Sequence, residues 1–391
     1  MVTQNRVGGI IRTTAGYLLN TIILLVALNV VLGVLFYAFD AHDARRANVI
    51  FRKYPNIAKQ IVKLYPSMSE DDISRLLHET WSRHLVLKSI VGFGEAPFHG
   101  KFVNVTEEGF RLGKDQGPWP PVQNDRNFIV FLFGGSTTFG YGVTDAQALG
   151  SQLQPLLAQK LERPVSVYNF GQAAFGSTQE RLLLEKLVLA GRKPDMAIFV
   201  DGLNEFKFTW GDEEFEWTTD MAKGSSPHTG PPTWRSWLSD GIDVLPMTRL
   251  VNGVRTRIGP RRKSRDASSN QKYNDDASLL KVIARYYLNT QIAEAEGKQL
   301  RIRMLFVWQP VPLYEYDLKY HPFIQNGFGD YAYTKRGYVL MADAVQKKRP
   351  DDFLWCADMQ KDLHEPLYVD AVHYSPKMTG MFAGCIADGV K

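Results

Sequence analysis

Cysteine is scarce in this chain, which carries only Cys356 and Cys385 among 391 residues. Two cysteines fit either redox compartment. Two buried free thiols are the expectation, and a disulfide between them is the alternative outside the cytoplasm. CxxC, HExxH and P-loop spacings are all missing, so neither a metal nor a nucleotide cofactor is expected. Net charge is also low, at +5. That balance does not point to nucleic acid. The one basic cluster, Arg255 to Arg265, lies in a Gly/Pro/Ser-rich stretch with no aromatic residues to stack bases. It reads as a solvated loop. A composition of 45% hydrophobic and 22% charged residues is ordinary for a globular protein, so global disorder is not expected.

What the chain does have is one long apolar run. Tyr17 to Phe39 contains no charge and is mostly Leu, Ile and Val. A membrane-spanning helix needs roughly 20 such residues. A signal peptide has a shorter apolar region, of about 7–15 residues, and a small-x-small cleavage site. The best candidate site, near Ala41, has Phe39 where a small residue is wanted. The run therefore reads as an uncleaved anchor. Asn20 and Asn29 within it are either simply buried or near an end of the span, or points of contact with a membrane-protein partner. Arg6 and Arg12 precede the run and Arg45 and Arg46 follow it. A short tail inside, with the large domain outside the cytoplasm, is the favoured orientation.

Beyond the tail and anchor (1–40), residues 41–125 read as a juxtamembrane helical region and linker. Its amphipathic stretches are 48–64 and 69–87, and Ser69-Glu70-Asp71-Asp72 forms a helix start. Gly117-Pro118-Trp119-Pro120-Pro121 leads into the main domain, 126–391. There, short apolar runs at 128–133, 165–170, 195–200, 301–308 and 352–357 alternate with helix-period stretches at 146–161, 177–190, 277–296 and 376–390. The pattern predicts an α/β fold, a three-layer αβα sandwich around a five-stranded, mostly parallel, flavodoxin-like sheet. Residues 205–276, with Trp210, Trp217, Trp234 and Trp237, break the rhythm and read as an insertion. Its tryptophans either form a lid or substrate wall, or merely pack the insertion itself.

Polar outliers collect just past the predicted strand ends. Phe133-Gly134-Gly135-Ser136 closes the first strand, Asn169-Phe170-Gly171 the second and Asp201-Gly202-Leu203-Asn204 the third. Asp370-Ala371-Val372-His373 follows the fifth. An open α/β sheet keeps its chemistry at that edge. A serine nucleophile there needs a base and an oxyanion hole. His364, His78, His84 and His99 are poorer candidates for the base than His373.

In order and context, Ser136, Gly171, Asn204 and the Asp370…His373 pair resemble the four blocks of the SGNH (GDSL-type) hydrolases. The resemblance covers about residues 126–391 without the insertion. The chain looks like the membrane-anchored bacterial members, some of which act on cell-surface polysaccharides, and Gly109-Phe110-Arg111 is similar to such members too. The resemblance implies that Ser136 attacks an ester, His373 takes its proton and Asp370 orients the imidazole. It also implies an oxyanion hole formed by the N–H groups of Ser136 and Gly171 and by the Asn204 amide. The chain departs from the family at Gly135, where an aspartate usually stands. That change is expected to loosen the serine turn. Three readings follow: a membrane-tethered esterase of an O-acylated glycan, an O-acyltransferase of a surface polysaccharide, and a non-catalytic component of an envelope assembly.

Overall fold

A computed structural model of the chain describes residues 2–45, 55–122, 126–207, 245–248, 250–251, 275–324 and 327–391. The arginine cluster and nearly all of the insertion's interior, including its four tryptophans, lie outside these residues. The chain divides into two units. One comprises 1–47 with 227–266, the other 48–226 with 267–391.

In the first unit, Val2–Arg45 form helix α1. Its segment Thr14–Ala38 has a mean hydropathy of 2.6 and unburied side chains. It is long and apolar enough to cross a membrane or to act as a signal sequence. Asn29 Nδ2 donates to Leu25 O at 2.9 Å, and Asn29 Oδ1 accepts the Met247 N–H at 3.1 Å. Both ends of this amide are thus satisfied within the chain, as a group in an apolar run requires.

The second unit opens with α2 (Pro55–Leu64) and α3 (Glu70–Trp81). Ser69 caps α3, its hydroxyl taking the Asp72 N–H at 3.2 Å. The acidic residues of the first turn suit the positive end of the helix dipole. Two short antiparallel pairs follow, β1 (Leu85–Lys88) with β2 (Gly92–Glu95) and β3 (Phe98–His99) with β4 (Asn104–Val105). The main body then runs through β5 (Phe128–Gly134), α4 (Ser136–Phe139), α5 (Leu149–Lys160), β6 (Val165–Asn169) and α6 (Ser177–Leu189). It continues with β7 (Met196–Asp201), α7 (Leu203–Lys207), α8 (Asp276–Leu300), β8 (Arg303–Trp308), α9 (Thr334–Lys347), β9 (Phe353–Trp355) and α10 (Pro376–Gly389).

The five long-range strands pair in parallel in the order β6-β5-β7-β8-β9. This is the flavodoxin-like order, in which the first strand lies inside the second. Side chains alternate across the sheet, and both faces are covered. Ile129, Phe131 and Phe133 join α6, α8 and α9 residues such as Leu184, Tyr286 and Met341 on one face. Val130 and Leu132 join α5 and α10 residues such as Leu153 and Phe382 on the other. Phe133, Phe199 and Phe306 sit in register on neighbouring strands and stack at 5.1 and 5.4 Å. The fold class expected from the sequence is therefore the fold observed.

Two features differ from expectation. α9 has no counterpart among the helix-period stretches. It grows out of a 3-10 turn, Gly329–Tyr333, without a capping side chain, and carries Gly337 in its first turns. The usual start signals are therefore missing. Cys356 and Cys385 are not free thiols but a disulfide, with Cα atoms 6.3 Å apart. α10 packs beside the end of β9, which brings the two sulfurs together across 29 residues of chain.

A third apolar cluster positions the site. Ile73, Leu76 and Leu77, spaced as one face of α3, pack with Ile61, Leu64 and Tyr65 against Phe139 and Val369. Phe139 closes the turn after Ser136, and Val369 immediately precedes Asp370. The segment before the sheet thus holds both loops that carry the candidate chemistry.

Candidate active site

At the C-terminal edge of the sheet, β5 ends in Gly134-Gly135 and α4 begins at Ser136. Neighbouring β7 ends at Asp201 and leads into Asn204. The order of the strands reverses between β5 and β7, which opens a crevice at the strand ends. Ser136 is 7% exposed and His373 4%.

Ser136 Oγ lies 2.8 Å from His373 Nε2, and His373 Nδ1 lies 2.7 Å from Asp370 Oδ2. The loop bearing the last two residues is tightly tied. Val369 N–H donates to His373 O at 2.9 Å, and Ser375 N–H to Leu367 O at 2.8 Å. Ser375 then caps α10, and Pro376 takes its first turn. Asp370 Oδ1 accepts the N–H groups of Val372 and His373 at 2.9 and 2.8 Å. Burial alone would raise the Asp370 pKa. The charge of His373 and its hydrogen bond, with those two backbone donors, outweigh burial and hold the carboxyl below its ordinary value. An ionised Asp370 sets the tautomer of His373. Nδ1 carries the proton, and Nε2 is left to accept from the serine hydroxyl.

The three expected oxyanion donors are differently placed. Ser136 N–H opens α4 and has no intrahelical acceptor. Asn204 Nδ2 donates one hydrogen to Phe175 O at 2.7 Å, which leaves the other. Gly171 N–H instead donates to Asn169 Oδ1 at 3.0 Å, so it is engaged in this state. Gly171 also permits close packing, because a Cβ there would fall 2.4 Å from Phe139 N. At Gly135 the missing side chain has a local reason. A Cβ would lie 2.3 Å from Asn204 Nδ2, so glycine lets that amide rest against the serine turn.

Other residues hold the turn firmly. Arg111 is fully buried. Its guanidinium donates to Asp145 at 2.7 Å, to Gly140 O at 3.0 Å, to Val143 O at 2.8 Å, to Phe139 O at 3.3 Å and to Phe102 O at 3.5 Å. It thereby caps the carbonyl end of α4. Asn169 Nδ2 donates to Thr138 O at 2.8 Å, and Thr137 Oγ1 to Gln309 Oε1 at 2.6 Å. The Gly-Phe-Arg element stood out in the sequence, but this structural role did not. Asn169 was visible only as the end of a strand.

The wall around His373 comes from residues that the sequence did not single out. Tyr141 stacks on the imidazole at 5.1 Å and 24°. Its hydroxyl donates to Glu95 Oε1 at 2.9 Å. Glu95 pairs with Arg83 at 3.2 Å, both side chains at most 1% exposed. Arg83 lies 4.4 Å over the Phe139 ring. Trp81 meets the imidazole edge-on at 5.4 Å. A second histidine, His321, takes the Phe323 N–H at Nδ1, and burial pushes it down to about 4. It stays neutral at physiological pH.

Beneath the Asn204 loop lie Glu180, Asp201 and Glu205, all buried. Glu205 Oε1 accepts the Ser177 N–H at 2.7 Å. Burial pushes the Glu180 and Asp201 carboxyls well above their ordinary values. The charge of Glu205 acts the same way on both, as does that of Asp201 on Glu180. Among the described residues, no group of three His, Cys, Asp or Glu side chains could hold a metal ion.

No family model matches the chain, and no curated protein does. Solved structures similar to it include a protein of the G-D-S-L lipolytic family from Desulfitobacterium hafniense. That protein is 13% identical, with 68% of this chain and 100% of that one covered and a TM-score of 0.35. The lipase Lip_vut3 from a goat rumen metagenome is 10% identical, covering 67% and 97%, with a TM-score of 0.40. Axe2, an acetylxylan esterase from Geobacillus stearothermophilus, is 13% identical, covering 67% and 93%, with a TM-score of 0.36. These structures are what the chain is similar to, at low identity.

Proposed function

We propose that this protein is a serine esterase acting through an acyl-Ser136 intermediate, tethered to a membrane by α1 and directed at O-acylated cell-surface glycan. One observation carries the reading: the continuous relay from Ser136 Oγ through His373 to Asp370, at 2.8 and 2.7 Å.

The chemistry follows from that geometry. Ser136 Oγ attacks the ester carbonyl as Nε2 of His373 takes its proton, and Asp370 stabilises the imidazolium that forms. The oxyanion is received by the Ser136 N–H and the remaining Asn204 hydrogen, each donor contributing on the order of 3–4 kcal/mol. Gly171 N–H joins them when it turns from Asn169. His373 then gives its proton to the departing alcohol oxygen. Water attacks the acyl-serine with the same base, releasing the acid and restoring the hydroxyl. The Cys356–Cys385 bond supports a domain outside the cytoplasm, where disulfides persist. The membrane reading is supported by the apolar stretch Thr14–Ala38, and a short N-terminal tail inside follows from Arg6 and Arg12 before it.

A second reading is favoured by one feature, the near-complete burial of Ser136 and His373. Exclusion of water from an acyl-serine favours transfer of the acyl group to a sugar hydroxyl. The detergent-solubilised full chain is expected to hydrolyse p-nitrophenyl acetate, and Ser136→Ala to abolish that. Retained turnover in the variant rules out this nucleophile. Products formed with an acyl donor and a polysaccharide acceptor separate the two readings, since transfer in excess of hydrolysis favours the second.

A further inference from the structure

Trp81 stands out because it is 53% exposed while everything that holds it is fixed. It is the last residue of α3 and continues, one turn beyond Leu77, the stripe that is buried through Ile73, Leu76 and Leu77. The α3 C-cap, Ser82, follows it, and then Arg83 with its buried partner Glu95. The indole also packs edge-on against Tyr141, with centroids 5.2 Å apart. A large aromatic surface is thus displayed rigidly at the mouth of the site, which is how aromatic anchors bind at low entropic cost.

Its side of the site is informative. Proton transfer to the leaving oxygen comes from His373 Nε2, so the alcohol half of an ester must lie toward the imidazole. The oxyanion lies toward Asn204. Trp81 touches the imidazole, with ring centroids 5.4 Å apart. A ring attached to the leaving oxygen is therefore within reach of the indole.

We infer that Trp81 is the alcohol-side platform of this site, stacking the apolar face of the pyranose that carries the scissile ester. This rests on the esterase reading above and adds what selects the alcohol. Trp81 then discriminates among alcohols and is indifferent to the acyl chain. An acceptor sugar in acyl transfer occupies the same surface.

The test compares the full chain and its Trp81→Ala variant on per-O-acetylated methyl β-glucopyranoside and on ethyl acetate, whose alcohol has no ring. A p-nitrophenyl ester is unsuitable, since its own ring would stack. The variant is expected to lose about tenfold or more in kcat/KM on the sugar ester relative to ethyl acetate, mainly through KM. Trp81→Tyr is expected to restore most of that ratio, and replacing acetyl by butyryl to leave it unchanged. Equal losses on both esters overturn the proposal and make Trp81 a prop for the imidazole. Thermal melting of each variant confirms the fold. If the wild type hydrolyses no ester, the esterase reading fails. Binding of methyl β-glucopyranoside to Ser136→Ala, followed at the Trp81 indole resonance, still decides the platform. A shift of that resonance on titration supports it, and no shift up to 100 mM sugar refutes it.

Discussion

Replacing Arg111 by lysine keeps the charge but removes the fork. The guanidinium makes five donations, to Asp145 and to the carbonyls of Phe102, Phe139, Gly140 and Val143. A lysine ammonium has three N–H groups on a single atom and cannot span acceptors spread around the edge of the guanidinium plane. At least two of the five acceptors lose their donor in a fully buried setting. A hydrogen bond from a charged group contributes about 1.5–3 kcal/mol. Relaxation and entry of water recover part of that, so Arg111→Lys is expected to destabilise by about 3 kcal/mol. Urea unfolding of the purified chain measures it as a lower midpoint at unchanged slope. Because Phe139 and Gly140 close the turn that begins at Ser136, ester turnover is expected to fall at temperatures where the variant is still folded. A variant within 0.5 kcal/mol of wild type and fully active would refute the view that Arg111 sets the geometry of the serine turn.

Other outcomes follow from the same geometry. Gly135→Ala places a Cβ 2.3 Å from Asn204 Nδ2, so kcat is expected to drop about 10²-fold with little change in KM, as for loss of one oxyanion donor; unchanged kcat contradicts that role for Asn204. Glu180 and Asp201 have folded pKa values above their unfolded ones, so the folded state keeps protons that the unfolded chain releases. Stability is then greatest below the ordinary carboxylate range and falls as pH rises through the raised values, by about 1.4 kcal/mol per pH unit for each proton concerned. Glu180→Gln is expected to melt above wild type at pH 8 and to lose that advantage at pH 4. Reducing Cys356–Cys385, which closes a loop of 29 residues, is expected to cost about 3.5 kcal/mol by chain entropy, read as a lower melting temperature in dithiothreitol.

Much of the fold was legible because the sheet is covered on both faces. Its strands are unbroken apolar runs, Ser136 and Asn204 stand just past the ends of two of them, and the Asp370–His373 pair lies in the segment between β9 and α10. Ser69 announced α3 through local capping chemistry. What stayed hidden depends on contacts between distant residues. Trp81, Arg83 and Glu95 reach Tyr141 and His373 only after α3 docks on the loops of the sheet edge, and no periodicity records that. Arg111 stood out only as part of Gly-Phe-Arg, and nothing near it in the sequence records the five acceptors that assemble around it. The disulfide depends on the rotation of α10 beside β9, which apolar spacing alone does not determine. Gly135 looked like a weakness in the serine turn, yet it makes room for Asn204 while Arg111, Asn169 and Gln309 hold the turn.

The most direct test asks whether the hydroxyl at 136 becomes acylated. The full chain, mixed rapidly with p-nitrophenyl acetate and quenched in acid, is digested and its peptides weighed. A 42 Da acetyl increment on the peptide containing Ser136, missing in His373→Ala, is the expected result. Burst release of nitrophenol with the increment on another residue, or turnover unchanged in His373→Ala, would contradict the account.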